Sequence, residues 1–131
     1  MIYITQDKRG NDVVNIHRGD DGALTIPLTD AATGEPYEMD PTETIIFTVR
    51  ARPDPESCPV LLEAESEPGS DVIEFAHAVT EELDVGEYSA DAQLMTRDGK
   101  RVTVWPKLQG RDRTSIENRK NFCILPEVCD R

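Results

Sequence analysis

The amino-acid sequence predicts an all-β protein, built as an antiparallel sandwich or barrel. Segments rich in β-branched residues recur about every 8–12 residues along the chain. Gly, Pro and Asp residues separate these segments, as they do in the turns of antiparallel sheets. No segment keeps the apolar period of a helix over several turns. We expect residues 1–131 to form a single domain of this kind.

The candidate strands are short, and several of them alternate apolar and polar residues. The clearest alternation places Ile45, Phe47 and Val49 on one side of a strand. Phe47 is therefore expected in the core, and so is Trp105; stacking of a ligand on Trp105 is the alternative. In chain order the candidate strands are "DVVNIHR", "ALTIPLTD", "ETIIFTVRAR", "PVLLEAE", "DVIEFAH", "GEYSADAQLM", "KRVTVWP" and "KNFCILPEV".

The first two candidate strands are predicted to pair across the turn "HRGDDG". This turn contains Arg18-Gly19-Asp20, the tripeptide that adhesion ligands present to integrins. Gly19 and Gly22 are candidates for the positive φ angles that a short connection needs. Asp20 and Asp21 can accept hydrogen bonds from nearby backbone amides. We therefore interpret Gly19, Asp20 and Gly22 as structural residues of a turn, and integrin binding is the alternative.

The stretch "HAVTEELDVGEY" predicts one helical turn followed by a tyrosine corner. Thr80 is a candidate helix cap, and Leu83 is a candidate inward-facing residue. Gly86 and Tyr88 stand where a Greek-key sandwich often has a tyrosine whose hydroxyl group bonds to the backbone a few residues upstream. The role predicted for Gly86 and Tyr88 is therefore structural.

Charge is unevenly distributed along the chain, whose formal net charge is −12. Residues 30–96 contain 17 acidic and two basic residues, whereas residues 97–120 contain eight basic and three acidic residues. The acidic excess disfavours binding to nucleic acid. We expect the two blocks to contact each other, within one molecule or between neighbours, and an anionic partner of the basic block is the alternative. Arg111 and Arg113, in the basic loop 107–119, are the candidate interaction residues.

The sequence contains no residue pattern typical of a catalytic or cofactor site. His17 and His77 have no nucleophile beside them, and P-loop, dinucleotide-binding and zinc-protease motifs are missing. Cys58, Cys123 and Cys129 are expected to be reduced and to bind no metal. We therefore expect no enzyme, no cofactor, no metal and no small-molecule ligand. A hydrolase whose residues meet only in the folded chain is the alternative.

Location in a cytoplasm, or release by lysis, is expected from the apolar runs and the first residues of the chain. No run approaches the roughly 18 apolar residues of a membrane-spanning helix. The first residues, "MIYITQDKRG", lack the basic start, apolar centre and cleavage site of a secretion signal. Neither membrane insertion nor secretion is predicted.

Five landmarks follow one another along the chain: the turn Arg18-Gly19-Asp20, the Gly-x-Pro turn at 34–36, the strand segment 47–50, the segment 80–88 and the Asp98-Gly99 hairpin. Their order resembles the N-terminal domain of phage baseplate upper proteins. The likeness covers about residues 15–128, and a basic loop inserted before the last strand departs from the family pattern.

This resemblance implies an immunoglobulin-like antiparallel β-sandwich of about seven to nine strands with Greek-key connections. It also implies a non-enzymatic structural or adaptor subunit of a phage or prophage tail, in contact with other tail or baseplate proteins and with copies of itself. Such a chain would occur in the virion, or in the bacterial cytoplasm before assembly. The alternative is a carbohydrate- or receptor-binding module, which would need exposed aromatic residues such as Tyr3 and Tyr37.

Overall fold

The computed structural model of the chain describes residues 2–6, 12–30, 32–51, 59–105 and 121–126. These residues are mostly β, so the predicted all-β class is confirmed. Among them, no helix is long and apolar enough to cross a membrane. The elements are β1 (Ile2–Gln6), β2 (Asp12–His17), β3 (Gly22–Thr25), β4 (Thr44–Arg50), β5 (Leu62–Glu65), β6 (Val72–Phe75), α1 (His77–Thr80), β7 (Gly86–Met95), β8 (Arg101–Trp105) and β9 (Phe122–Leu125).

Seven of these strands form one large sheet around β7. Its order is β1-β2-β9-β7-β4-β5, and β8 also pairs with β7. Because β7 is ten residues long, it can pair with three neighbours. Residues Gly86–Tyr88 pair with β9, residues Ser89–Met95 pair with β4, and the last part of β7 pairs with β8. A register shift between Ala92 and Gln93 accommodates β8.

The large sheet is mixed, which corrects the prediction of a wholly antiparallel fold. β2 runs parallel to β9, with Val14 opposite Phe122 and His17 opposite Leu125. The other strand pairs of the described residues are antiparallel. Parallel neighbours are joined by a long stretch of chain rather than a hairpin. The turn residues between adjacent segments therefore give no sign in the sequence that β2 and β9 pair.

β3 and β6 form a separate two-stranded antiparallel sheet. The prediction that the first two clear strands pair across "HRGDDG" is therefore wrong. β2 belongs to the large sheet and β3 to the small one, so the turn at residues 18–21 carries the chain between the two sheets.

The core lies where the small sheet meets the large sheet. Phe75 of β6 packs edge-on against Phe47 of β4, with ring centroids 5.5 Å apart, and its centroid lies 6.0 Å from that of Phe122 of β9. The ring centroid of Trp105 lies 5.7 Å from that of Phe47, and only 4% of Trp105 is exposed. The predicted core positions of Phe47 and Trp105 are confirmed. Burial of Trp105 leaves no open face for stacking of a ligand.

Asn121 joins three parts of the large sheet just before β9 begins. Its side-chain Nδ2 donates to the carbonyl oxygen of Ala90 at 2.9 Å, and the backbone N–H of Ala90 donates to its Oδ1 at 2.7 Å. Its backbone N–H donates to the carbonyl oxygen of Tyr88, and its carbonyl oxygen accepts from the N–H of Val14. Asn121 is 2% exposed, so these bonds replace water for buried groups.

Replacement of Asn121 by Ala should lower the free energy of unfolding by about 2–4 kcal/mol, because it leaves both backbone groups of Ala90 buried without partners. Asn121→Asp should be at least as damaging, since a carboxylate cannot donate to the Ala90 carbonyl group. Urea unfolding followed by circular dichroism measures both. Glu74→Gln, an exposed change on β6, is the control and should stay within about 0.5 kcal/mol of the parent. Equal stability of Asn121→Ala and the control would contradict this account.

Candidate interaction surface

The Arg-Gly-Asp turn is bound to the segment around α1. The Nε atom of Arg18 donates to the carbonyl oxygens of Glu81 and Leu83, both at 3.1 Å. These carbonyl groups follow the end of α1, where no helical partner is available to them. A guanidinium group is suited to such a position because it always carries its charge and its donors. The cationic group of the tripeptide is thus used inside the molecule.

The two aspartates that follow Gly19 also connect the turn to α1. The hydroxyl group of Thr80 donates to the carbonyl oxygen of Asp20 at 2.9 Å. The backbone N–H of His77 donates to Asp21 Oδ1 at 2.6 Å, and His77 Nδ1 lies 3.1 Å from the same oxygen. These hydrogen bonds, that of the backbone N–H first, hold the pKa of Asp21 below its usual value. The contacts support a structural interpretation of the tripeptide over an integrin-binding one.

Two details of this region differ from the sequence-based prediction, and a third agrees with it. Asp21 bonds to an amide 56 residues away in sequence, not to one in its own turn. Thr80 ends α1 and is fully buried, whereas the residue before the helix is Ala76, which makes no side-chain cap. The predicted inward-facing position of Leu83 is confirmed, since it is 6% exposed.

The two glycines of the turn are required for different reasons. Gly19 has a φ of +83°, as predicted. Gly22 does not have a positive φ, so that part of the prediction is wrong. A Cβ atom at Gly22 would instead lie 2.5 Å from Cγ1 of Ile2 and 3.2 Å from Cδ1 of Ile16. The absence of a side chain at Gly22 lets β1 and β2 approach the start of β3.

Tyr88 makes the contact expected of a tyrosine corner. Its hydroxyl group donates to the carbonyl oxygen of Asp84, four residues upstream, at 2.6 Å. Burial, and then the charge of Asp84, raise the pKa of Tyr88. Gly86 begins β7 with a φ of +156°, which residues with side chains rarely adopt, and no atom crowds its Cβ position. Backbone conformation rather than packing therefore favours glycine there.

The aromatic side chains that the structure describes are buried or half-buried. The hydroxyl group of Tyr37 donates to Glu43 Oε1 at 2.9 Å, and Glu43 is 3% exposed. This bond to a carboxylate is the main cause of the raised pKa of Tyr37. Tyr37 is half-buried and held by a structural contact, and the side chain of Tyr3 lies outside the described residues.

The side of β4 and β7 that points away from the core is half-buried and mixed in polarity. Ile46 lies opposite Gln93 and Thr48 lies opposite Asp91, and all four are half-buried. Their sequence neighbours on β4 and β7 are buried against the small sheet, so alternation directs these four side chains outward. A polar and partly apolar surface therefore covers the middle of the large sheet.

Two further strands extend this surface and carry charges of opposite sign. On β5, Glu63 and Glu65 are exposed and share this side of the sheet. On β8, Arg101 is exposed and lies opposite Met95. The order β5-β4-β7-β8 puts the acidic and basic residues at opposite margins. We call this surface the outer face; it consists of Glu63, Glu65, Ile46, Thr48, Asp91, Gln93, Met95 and Arg101.

Asp91 and Arg50 lie close together on the same side of β4 and β7. Burial raises the pKa of the Asp91 carboxyl group, and the positive charge of Arg50 offsets this shift only in part. The Nε atom of Arg50 is buried and has no hydrogen-bond partner among the residues that the structure describes. One polar group at the end of β4, on the side of the outer face, therefore has unused bonding capacity.

Arg111, Arg113 and the rest of the basic loop 107–119 lie outside the described residues, and so do Cys58 and Cys129. Cys123 is a half-buried free thiol, and burial followed by the charge of Glu87 raises its pKa. Within the described ranges, no three His, Cys, Asp or Glu side chains are grouped so that they could hold a metal ion.

The polar residues that hold the turns were only partly predictable. The sequence points to Arg18 only as part of a tripeptide and does not point to Asn121, although both bond to backbone groups that strand pairing leaves free. No local pattern gives either role, because Arg18 acts on residues 81 and 83, and Asn121 acts on residue 90.

Comparison of the chain with protein-family models, with curated proteins and with solved structures finds no match.

Gly19→Val should lower the free energy of unfolding by about 1–2 kcal/mol or more, because a β-branched residue is strained at positive φ. Gly19→Asn should cost less, since asparagine tolerates this conformation better. Thermal unfolding of the two variants checks the order. A Gly19→Val protein with the melting temperature of the parent would contradict the turn interpretation.

Asp21→Asn should destabilise the protein at neutral pH and progressively less in acid. The lowered pKa means that Asp21 contributes stability above its unfolded pKa of about 3.9, and this contribution disappears as the pH falls through the lower folded value. Urea midpoints of parent and variant at pH values from 6 down to about 2.5 should therefore converge. Asp98→Asn, which keeps a turn-forming residue before Gly99, is the control. A gap that stays constant with pH would contradict the assigned role of Asp21.

Proposed function

We propose that the protein is a non-enzymatic structural or adaptor subunit of a phage or prophage tail, of baseplate-like type, that acts through protein–protein contacts. The outer face is the observation that carries this proposal. It is exposed at its charged margins, half-buried at its centre and placed on the rigid four-stranded part of the large sheet. Rigid sheets with polar faces are suited to specific contacts between proteins.

The proposed architecture is an immunoglobulin-like sandwich with Greek-key connections. Support comes from the contact between the two sheets through Phe75 and Phe47, and from the hydroxyl contact of Tyr88 at the start of β7. The landmarks of the baseplate resemblance also have places in this architecture. The Arg-Gly-Asp turn crosses between sheets, and the Asp98-Gly99 pair lies in the connection of β7 and β8, with a φ of +83° at Gly99.

The proposed partners are other tail or baseplate proteins and further copies of the chain. The proposed location is the virion, or the bacterial cytoplasm before assembly. Contacts through charged margins favour correct partners over wrong ones, because like charges brought together are unfavourable. A repeated subunit in an ordered particle requires this selectivity.

The test is the composition of particles released from the producing bacterium. Density-gradient fractions should contain the chain at a constant ratio to the tail-tube protein, measured by quantitative mass spectrometry. A variant with Glu63→Lys and Glu65→Lys should be depleted from the particles, because it reverses the charge of one margin of the outer face. Glu74→Lys with Glu82→Lys, the same charge change away from this face, should be incorporated normally. A chain found at the background level of cytoplasmic host proteins would contradict the proposal.

A further inference from the structure

The outer face has opposite charges at its two margins. Glu63 and Glu65 lie on β5, Arg101 lies on β8, and two strands separate them. At about 4.8 Å between neighbouring strands, the margins are roughly 15 Å apart. A surface that is acidic on one side and basic on the other can be complementary to a second copy of itself.

We infer that the outer face is the contact surface of a twofold symmetric homodimer. A twofold axis that runs parallel to β4 and β7, between the two facing sheets, places β5 of each copy opposite β8 of the other. The acidic margin of each copy then meets the basic margin of its partner, so the complementary contact occurs twice. This inference names a partner for the surface on which the proposed function rests.

The alternative orientation is disfavoured by the same charges. A twofold axis perpendicular to the strands would place β5 opposite β5, and Glu63 and Glu65 of the two copies would approach each other. Like charges in such an arrangement cost free energy. Both axes keep the strands of the facing sheets aligned, so the charges alone favour the axis along the strands.

The register of the strands brings the charged groups close enough to pair. Glu65 is level with Ile46, and Arg101 is level with Thr44 through Met95. The two levels differ by two residues along a strand, about 6.8 Å. The long side chains of arginine and glutamate can cover this offset between the facing sheets.

Apolar groups on the outer face contribute to the free energy of dimerisation independently of charge. Leu61 precedes β5, lies by alternation on the side of Glu63, and is 44% exposed. In the inferred dimer it lies at the margin with the acidic residues, while Ile46 and Met95 lie nearer the centre. The face is limited to four strands, so the interface is modest and belongs with weak complexes that bury less than about 1,200 Å². We therefore expect a dissociation constant in the micromolar range.

The ionic strength must be high enough to screen the repulsion between two negatively charged copies, and low enough to preserve the contacts between their charged margins. Each copy has a formal charge of −12, so two copies repel each other over long distances at low salt. At about 0.15 M salt the Debye length is roughly 8 Å, which screens this repulsion more than it screens contacts across an interface. Sedimentation equilibrium at this ionic strength is the appropriate measurement.

The experiment compares two charge-reversal variants alone and mixed. Glu63→Lys with Glu65→Lys makes both margins basic, and Arg101→Glu makes both margins acidic. Each variant alone should dimerise at least about tenfold more weakly than the parent, because like charges then face each other. An equimolar mixture of the two should form a heterodimer with an affinity within about threefold of the parent, because opposite margins meet again.

Glu74→Lys with Glu82→Lys is the matched control, because it changes the net charge equally away from the outer face. This variant should dimerise as the parent does or more tightly. A parent chain that is monomeric at several hundred micromolar, or a mixture that does not restore association, would overturn the inference. The measurement uses purified protein alone, so a dimer can be established even where the chain is missing from tail particles, and the two proposals fail separately.

Discussion

The large sheet depends on the hydrogen bonds that Asn121 makes at the place where β7 changes partners. β7 pairs with β9 up to Tyr88 and with β8 from Ala92 onward. Between these stretches Ala90 pairs with β4 on one edge of β7 but has neither β9 nor β8 opposite it on the other edge, where the side-chain amide of Asn121 supplies both a donor and an acceptor. A buried backbone group without a partner lowers the stability of the fold. The side chain of Asn121 therefore supplies the hydrogen bonds that a neighbouring strand would otherwise make.

The crossing between the two sheets presents the same physical problem and has a similar solution. Residues 18–21 leave the large sheet, so their backbone and that of the segment after α1 cannot be satisfied by strand pairing alone. Arg18, Thr80 and Asp21 each bond to a backbone group of the opposite segment. The Arg-Gly-Asp tripeptide is thus part of a polar contact between distant parts of the chain.

Sequence reasoning succeeds here where a structural property depends on neighbouring residues. Alternation in β4 identified Phe47, and the spacing before Tyr88 indicated the contact with Asp84, because strand period and corner geometry are local. The parallel pairing of β2 with β9 and the close approach of Ile2 to Gly22 depend on residues far apart in sequence. No local signal carries that information, since pairing is decided by the whole sheet. The outer face was unpredictable for the same reason: its margins are brought together only by the register of four strands.

The two glutamates of β5, Glu63 and Glu65, affect both the edge of the large sheet and the charge of the outer face. Among the described residues β5 pairs only with β4, so its other edge presents unpaired backbone groups. Charged side chains on such a strand hinder uncontrolled edge-to-edge pairing, and Glu63 and Glu65 are placed to do so. The same two glutamates make one margin of the outer face acidic and thereby restrict which surfaces can approach it. In the proposed assembly, a specific contact has to form without open-ended association, and opposite charges at the two margins of one face would serve both needs, because only a limited set of orientations brings them together.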